Sequence, residues 1–222
     1  MSNFFTSSIG KKFIMSVTGI FLLLFLLVHL TVNSLLMVGS DTFNEAAHFM
    51  VTNPVIRVIE PILALGFIIH IIYSGYITLQ NQKTRPIKFK KLDRWGSSTW
   101  ASRNMFILGG LILVFLVIHL INFYWKVRFG EISTTTVGGV EMENVYALVS
   151  SLFIKWWWYD LIYVLGAVFL GLHLSHGFWS AFQTLGWENE GWIIRLKWIG
   201  YVLSVLIAAG FASIPLYFLI KF

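Results

Sequence analysis

Five long stretches of apolar residues constrain this chain more than any other feature of its sequence. A helix needs about 20 predominantly apolar residues to cross a hydrocarbon core about 30 Å thick. Hydrophobic residues make up 57% of the 222 residues and charged residues only 12%, whereas soluble domains carry about 25% charged residues. We therefore predict an all-α integral membrane protein, with five transmembrane helices bundled in one membrane domain over residues 1–222. The predicted spans are residues 13–38, 54–79, 104–125, 156–182 and 192–219.

Basic residues are divided unequally between the two sides that five spans create. Eleven of the sixteen Lys and Arg residues fall on the side of the N-terminus, and seven of the ten Asp and Glu residues fall on the other side. Because cytoplasmic loops are enriched in Lys and Arg, we predict a cytoplasmic N-terminus and an outer C-terminus. The basic face suits anionic membrane lipid or an acidic protein partner. No nucleic-acid partner is expected, because no basic and aromatic module lies outside the spans.

The absence of Cys excludes several kinds of site from this chain. The sequence contains no Cys. This chain therefore cannot form disulfides, bind zinc or an iron–sulfur cluster through Cys, or use a thiolate in catalysis.

Five of the six His residues fall inside predicted spans, where an ionisable side chain is costly and is a functional candidate by default. A single intramembrane His could equally form a hydrogen bond between helices. Here, however, four successive spans each carry at least one. The five residues are His29, His70, His119, His173 and His176.

The depths of these histidines fall into two pairs. His29 and His119 follow the cytoplasmic start of their spans by sixteen or seventeen residues, and His70 and His173 follow the outer start of theirs by the same number. At 1.5 Å per residue, each lies about 24–26 Å along its span. A hexacoordinate haem iron takes one imidazole on each face of the ring. The spacing therefore predicts an outer haem on His29 and His119 and an inner haem on His70 with either His173 or His176.

Glycines at matching positions extend this pattern. Gly19 and Gly109 each stand ten residues before the His of the same span, about 15 Å toward the cytoplasm and level with the inner pair. A glycine there would let a flat macrocycle approach the helix backbone closely. The alternative is that both are small residues at helix–helix contacts.

The chain resembles the dihaem cytochrome b membrane anchors of succinate dehydrogenases and fumarate reductases, in particular the single-chain b558 type. The resemblance rests on five spans with His on the first four at alternating depths, and most specifically on residues 173–186. In that segment Gly177 and Gly186 follow His173 by four and thirteen residues, which is the spacing of the family's ligand His. The resemblance therefore assigns the inner ligand to His173, leaves His176 as a neighbour, and implies the pairs His29–His119 and His70–His173.

The resemblance also implies partners and a location. It implies a subunit of a succinate:quinone oxidoreductase in the bacterial inner membrane, docked to a flavoprotein that carries FAD and to an iron–sulfur protein. The cofactors it implies are two haem b groups and a quinone, usually menaquinone, near the outer haem. The basic segment 83–94 is a candidate docking surface, although it is equally explained as a positively charged cytoplasmic loop.

Further site residues follow from the resemblance. It places haem propionates near Ser16 and Arg103, although Arg103 could instead snorkel to the interface. Outer groups able to exchange protons with a quinone are Glu45, His48 and Glu60.

Two other functions are alternatives to this one. A cytochrome b subunit of another quinone-linked dehydrogenase, of the hydrogenase or formate type, would have different ligand spacing, and a fifth span would be unusual. A non-haem transporter with a His relay would need broken helices and acidic residues at mid-membrane. The spans contain only Glu60 and Asp160, both near span ends.

Overall fold

The structure is a computed structural model that describes Phe4 and residues 7–83, 99–187 and 189–222. Its five longest apolar helical segments confirm the predicted number of candidate membrane spans. Most of the candidate docking segment 83–94 lies outside the described residues. The spans are Ser8–Met37, Pro54–Lys83, Met105–Phe129, Trp157–Thr184 and Gly191–Lys221.

The described part of the chain contains nine α-helices and one β-hairpin. In chain order the helices are α1 Ser8–Ser34, α2 Ser40–Thr52, α3 Pro54–Lys83, α4 Trp100–Arg103, α5 Met105–His119, α6 Trp125–Phe129, α7 Val145–Lys155, α8 Trp157–Thr184 and α9 Glu190–Lys221. The strands are β1 Thr134–Val137 and β2 Val140–Glu143.

The first span begins earlier than its apolar stretch predicts. The Ser7 side chain accepts a hydrogen bond from the Gly10 backbone N–H and so caps α1. The helix begins at Ser8, five residues before the predicted start at residue 13. A capping oxygen satisfies a backbone donor that would otherwise lack a partner. Hydropathy marks only the part of a helix in the hydrocarbon core, so it misses polar first turns of this kind.

Two loops that the sequence leaves without structure contain regular elements. The first holds α2, and the second holds the β-hairpin followed by α7; together these form what we call the cap layer. Gly138 and Gly139 join the two strands with φ of 58° and 83°, the positive values that a two-residue hairpin turn requires. Val137 pairs with Val140 across this turn.

A buried polar contact joins the two parts of the cap layer, and an apolar core packs the cap layer against the spans. Asn44 of α2 is 1% exposed. It donates to the Asn144 side chain at 3.2 Å and accepts from the Tyr146 backbone N–H at 2.8 Å. The apolar residues packed around this region come from both the cap layer and the spans, and include Leu36, Phe43, Phe153, Tyr163 and Phe218.

Close helix packing holds α8, which contacts α1, α5 and α9. A Cβ built on Gly171 would lie 2.7 Å from the Ala208 Cβ, and one on Gly166 would lie 2.5 Å from a ring carbon of Phe115. Both distances are too short for any residue but glycine without displacement of the neighbour. Helices α1 and α3 also contact each other, so α1, α3, α5 and α8 surround the centre of the bundle.

Candidate functional site

The four predicted ligands lie on these four helices and face one another in two pairs. The ring centroids of His29 and His119 are 5.6 Å apart with an 83° angle between ring planes. Those of His70 and His173 are 6.5 Å apart at 67°. The structure therefore brings together the same two pairs that the spacing in the sequence predicts to share a depth. That these imidazoles bind iron remains a prediction.

Both separations suit one metal ion between each pair of rings. Imidazole nitrogens bind metals at about 2 Å, so two rings on opposite sides of one ion have centroids about 6 Å apart. Within residues 7–83, 99–187 and 189–222, no cluster of three or more His, Asp or Glu side chains could hold a metal ion. A site with two protein ligands fits a metal whose other ligands come from a macrocycle, as in haem.

The lack of hydrogen bonds at two of the four rings argues against a purely structural role for those two. Two of the four, His119 and His173, have a buried Nδ1 with no hydrogen-bond partner among the described residues. A buried polar atom without a partner costs about 1–3 kcal/mol. The alternative, in which each intramembrane His links two helices, predicts that these atoms are bonded.

Glycines open the space beside the inner pair. A Cβ built on Gly19 would meet only the His70 ring, with Cε1 at 3.6 Å, and one on Gly109 would meet only His173 Cε1, at 3.8 Å. By contrast, a Cβ on Gly66 would lie 2.9 Å from the Phe21 ring. Gly19 and Gly109 are thus not the close helix–helix contacts of the alternative interpretation. They leave helix backbone bare beside the inner imidazoles, which fits a flat macrocycle there.

Aromatic rings enclose the outer pair. Phe25 stacks on His29 with centroids 5.2 Å apart, while Phe123 and Tyr163 lie 5.3 and 6.0 Å from His119. An apolar shell of this kind keeps water from an iron centre and is one means by which proteins set its potential.

A local irregularity follows His119. Residues Leu120–Tyr124 form a single π-helical turn, a feature found frequently at functional sites. Within it the buried Asn122 side chain donates to the Tyr163 hydroxyl at 3.2 Å. This contact holds Tyr163 against His119. Periodicity alone does not reveal such a turn.

The neighbouring His176 also has a buried Nδ1 without a hydrogen-bond partner among the described residues, but its ring has different neighbours. Its ring packs edge-on against Trp179, with centroids 4.9 Å apart. The ring that faces His70 is that of His173, the residue that the family spacing selects.

The two residues predicted to lie near haem propionates differ in their exposure to solvent. Ser16 is 5% exposed and its hydroxyl donates to the Lys12 carbonyl at 3.0 Å, whereas Arg103 is exposed at the end of α4. The sequence analysis missed Lys11, which is 5% exposed. Its ammonium donates to Gln80 at 3.2 Å and lies over the Tyr76 ring. Its sequence signal is a basic residue directly before an apolar span, which the preference of Lys and Arg for the cytoplasmic side explains without burial.

The three predicted quinone residues have different surroundings in the structure. Glu45 is exposed on α2. His48 lies 3.6 Å from a carboxylate oxygen of Glu143. Glu60 accepts two hydrogen bonds from Arg128, at 3.2 and 2.5 Å, so its charge is compensated. A role for these residues in quinone chemistry remains a prediction.

One acidic residue near a span end is more deeply buried than its position in the sequence indicates. Asp160, in the first turn of α8, is 2% exposed, and neither carboxylate oxygen has a hydrogen-bond partner among the described residues. It lies one helical turn from Tyr163, which contacts the His119 ring. Its sequence signal is an acid within an apolar span, next to a cluster of aromatic residues.

Comparison with known proteins agrees with the resemblance seen in the sequence. No family model matches the chain, and no solved structure matches it. The chain is, however, 27% identical over 168 residues to the succinate dehydrogenase cytochrome b558 subunit of Bacillus subtilis (strain 168), which covers 73% of this chain and 72% of that protein. The chain is therefore similar over most of its length to a succinate dehydrogenase cytochrome b subunit.

Proposed function

We propose that this chain is the dihaem cytochrome b membrane anchor of a succinate:quinone oxidoreductase. It carries electrons between an iron–sulfur subunit and a membrane quinone. That quinone is menaquinone, as is usual in the family that the chain resembles. It lies in the bacterial inner membrane as a multi-pass protein, beside a flavoprotein subunit that holds FAD. Succinate chemistry belongs to the flavoprotein, and electron transfer and the quinone site belong to this chain.

The pairing of four intramembrane histidines carries the proposal. Each of four spans contributes one imidazole, and the rings face each other at 5.6 and 6.5 Å. When bound, haem b supplies a one-electron redox centre held by two axial imidazoles. His29 and His119 hold the outer group, and His70 and His173 hold the inner one. Similarity to a cytochrome b558 subunit supports the same assignment.

The two ends of the bundle differ, and this difference sets the direction of electron transfer through the chain. The basic side of the chain receives the iron–sulfur partner, and the cap layer lies at the opposite end, beside the outer pair. Reduction of a quinone by two electrons also takes up two protons. Glu45, His48 and Glu60 supply proton-exchanging groups at that end. The aromatic shell around His29 and His119 separates the outer pair from water.

Single Ala variants of the four histidines test the proposal through the visible spectrum of the purified protein. We expect His29→Ala or His119→Ala to remove one haem signal, and His70→Ala or His173→Ala to remove the other. Two variants from the same predicted pair should leave the same residual spectrum. A full complement of two haems in any of the four variants would contradict the ligand assignment.

A further inference from the structure

We propose that Thr18 is a positioning residue for the inner haem, which fixes the tautomer of His70 and strengthens this imidazole as an iron ligand. The inference rests on the proposed function. It concerns a contact between two spans: Thr18 lies on α1, and His70 lies on α3. The hydroxyl oxygen of Thr18 is 3.2 Å from Nδ1 of His70.

The direction of this hydrogen bond follows from the other contacts of the hydroxyl group. Thr18 Oγ1 lies 2.8 Å from the Ile14 carbonyl oxygen and 3.1 Å from that of Met15. Carbonyl oxygens only accept, and a hydroxyl group has a single proton to donate. That proton is therefore directed to the backbone of α1. Toward His70 the hydroxyl oxygen is left as an acceptor, and the proton in the contact belongs to Nδ1.

A proton on Nδ1 determines what the other ring nitrogen can do. A neutral imidazole carries one N–H, so Nε2 keeps its lone pair and is the nitrogen available to a metal. A ligating His usually donates its second N–H to a neighbouring acceptor, which orients the ring and raises the basicity of the ligand. More basic axial ligands favour ferric over ferrous iron. Thr18 therefore lowers the reduction potential of the inner haem.

The contact distinguishes His70 from the other three predicted ligands. Nδ1 of His119 and of His173 has no hydrogen-bond partner among the residues that the structure describes. Nδ1 of His29 lies 3.4 Å from Asn33 Nδ2, a nitrogen whose shorter contact, at 2.8 Å, is with the His29 backbone carbonyl oxygen. Within the described chain, Thr18 alone offers an oxygen to Nδ1 of a predicted ligand. Its influence is thus confined to the inner site.

Thr31 provides a matched control on the same helix. Its hydroxyl donates to the Leu27 carbonyl oxygen at 2.9 Å, the same bond to the preceding turn that Thr18 makes. Thr31 is exposed, and its hydrogen bond involves no imidazole. Any effect of removing a Thr hydroxyl on the helix itself should therefore appear in both Thr18→Val and Thr31→Val.

The test is a potentiometric titration of the purified holoprotein, with low-temperature EPR of the oxidised haems. The inner haem is identified as the signal lost in His173→Ala. We expect Thr18→Val to raise the midpoint potential of the inner haem and shift its EPR signal, without moving the outer haem. Thr18→Ser should restore both values, and Thr31→Val should match the wild type. Selective loss of the inner haem in Thr18→Val, with retention in Thr18→Ser, would also support the proposal.

Three results would overturn it. These are an inner potential in Thr18→Val equal to that of the wild type, equal shifts in Thr18→Val and Thr31→Val, or a Thr18→Ser variant that behaves like Thr18→Val. Loss of both haems in Thr18→Val would instead assign Thr18 to folding and also overturn it. A wild-type protein without haem would refute the proposed function before Thr18 is tested, so the two failures are distinguishable.

Discussion

Replacement of Gly109 by Ala should weaken the inner haem site while leaving the helix intact. Gly109 faces His173, and a Cβ there would lie 3.8 Å from Cε1 of that ring with no other heavy atom of a neighbouring element within 4 Å. That is ordinary van der Waals contact, so the protein without a bound group has room for the methyl. Ala also favours a helix by about 0.8–1.0 kcal/mol over Gly. Packing within the chain alone therefore predicts a neutral or stabilising change.

If a haem macrocycle lies against the backbone at Gly109, Gly109→Ala should instead weaken haem binding. An extra methyl in a filled space costs about 1–3 kcal/mol, which corresponds to a loss of about 5- to 150-fold in affinity. Gly110 is the matched control, because it is the next residue of the same helix and a Cβ on it would meet nothing within 4 Å. Both variants gain the same helix propensity.

Haem titration into the apoprotein, followed by absorption, measures the difference. Gly109→Ala should bind the inner haem more weakly than Gly110→Ala, with unchanged binding of the outer haem. An inner-haem affinity equal to that of the wild type in both variants would show that Gly109 does not border the macrocycle. Equal loss in both would show that the helix, and not the cavity, was perturbed.

Three further predictions concern other parts of the site. His176→Gln should keep both haems with at most a shifted spectrum, whereas loss of the inner haem in this variant but not in His173→Gln would reverse the choice between the two. Glu45→Gln should lower quinone-linked turnover by about 10²-fold or more if Glu45 acts as a general acid or base. The haem spectra and the reduction of an artificial acceptor should stay intact. Unchanged turnover in Glu45→Gln, His48→Ala and Glu60→Gln alike would move the quinone site elsewhere. Gly166→Ala should lower the free energy of unfolding by about 1–3 kcal/mol, because its Cβ would clash with the Phe115 ring, and an unchanged thermal midpoint would contradict this packing.

The spans and the pairing of the histidines by depth could be predicted from the sequence because both depend on simple distances. An apolar stretch reports where a helix crosses a bilayer, and a constant rise per residue converts sequence spacing into depth. The sequence alone therefore predicts that His29 and His119 lie at the same depth. The choice of His173 over His176 needed the family spacing, since the two lie one turn apart on nearly the same face.

Other features depend on contacts between distant residues, which periodicity does not encode. Glu60 and Arg128 lie 68 residues apart in the sequence and join two spans. Thr18 and His70 lie 52 residues apart and join two others. The π-helical turn after His119 and the cap layer were likewise absent from the hydropathy pattern. The apolar helix α7 is too short to cross a membrane, and hydropathy does not distinguish a π-helical turn from an α-helical one. Tertiary packing decides which residues between the spans become helix or hairpin.

The haem-to-protein ratio of the purified chain tests the central claim most directly. Absorption of the alkaline pyridine complex gives the amount of haem b, and amino-acid analysis of the same sample gives the amount of protein. The account predicts two haem b groups for each chain, held by His29 with His119 and by His70 with His173. A ratio of zero or one in fully assembled protein that was supplied with excess haem would contradict it.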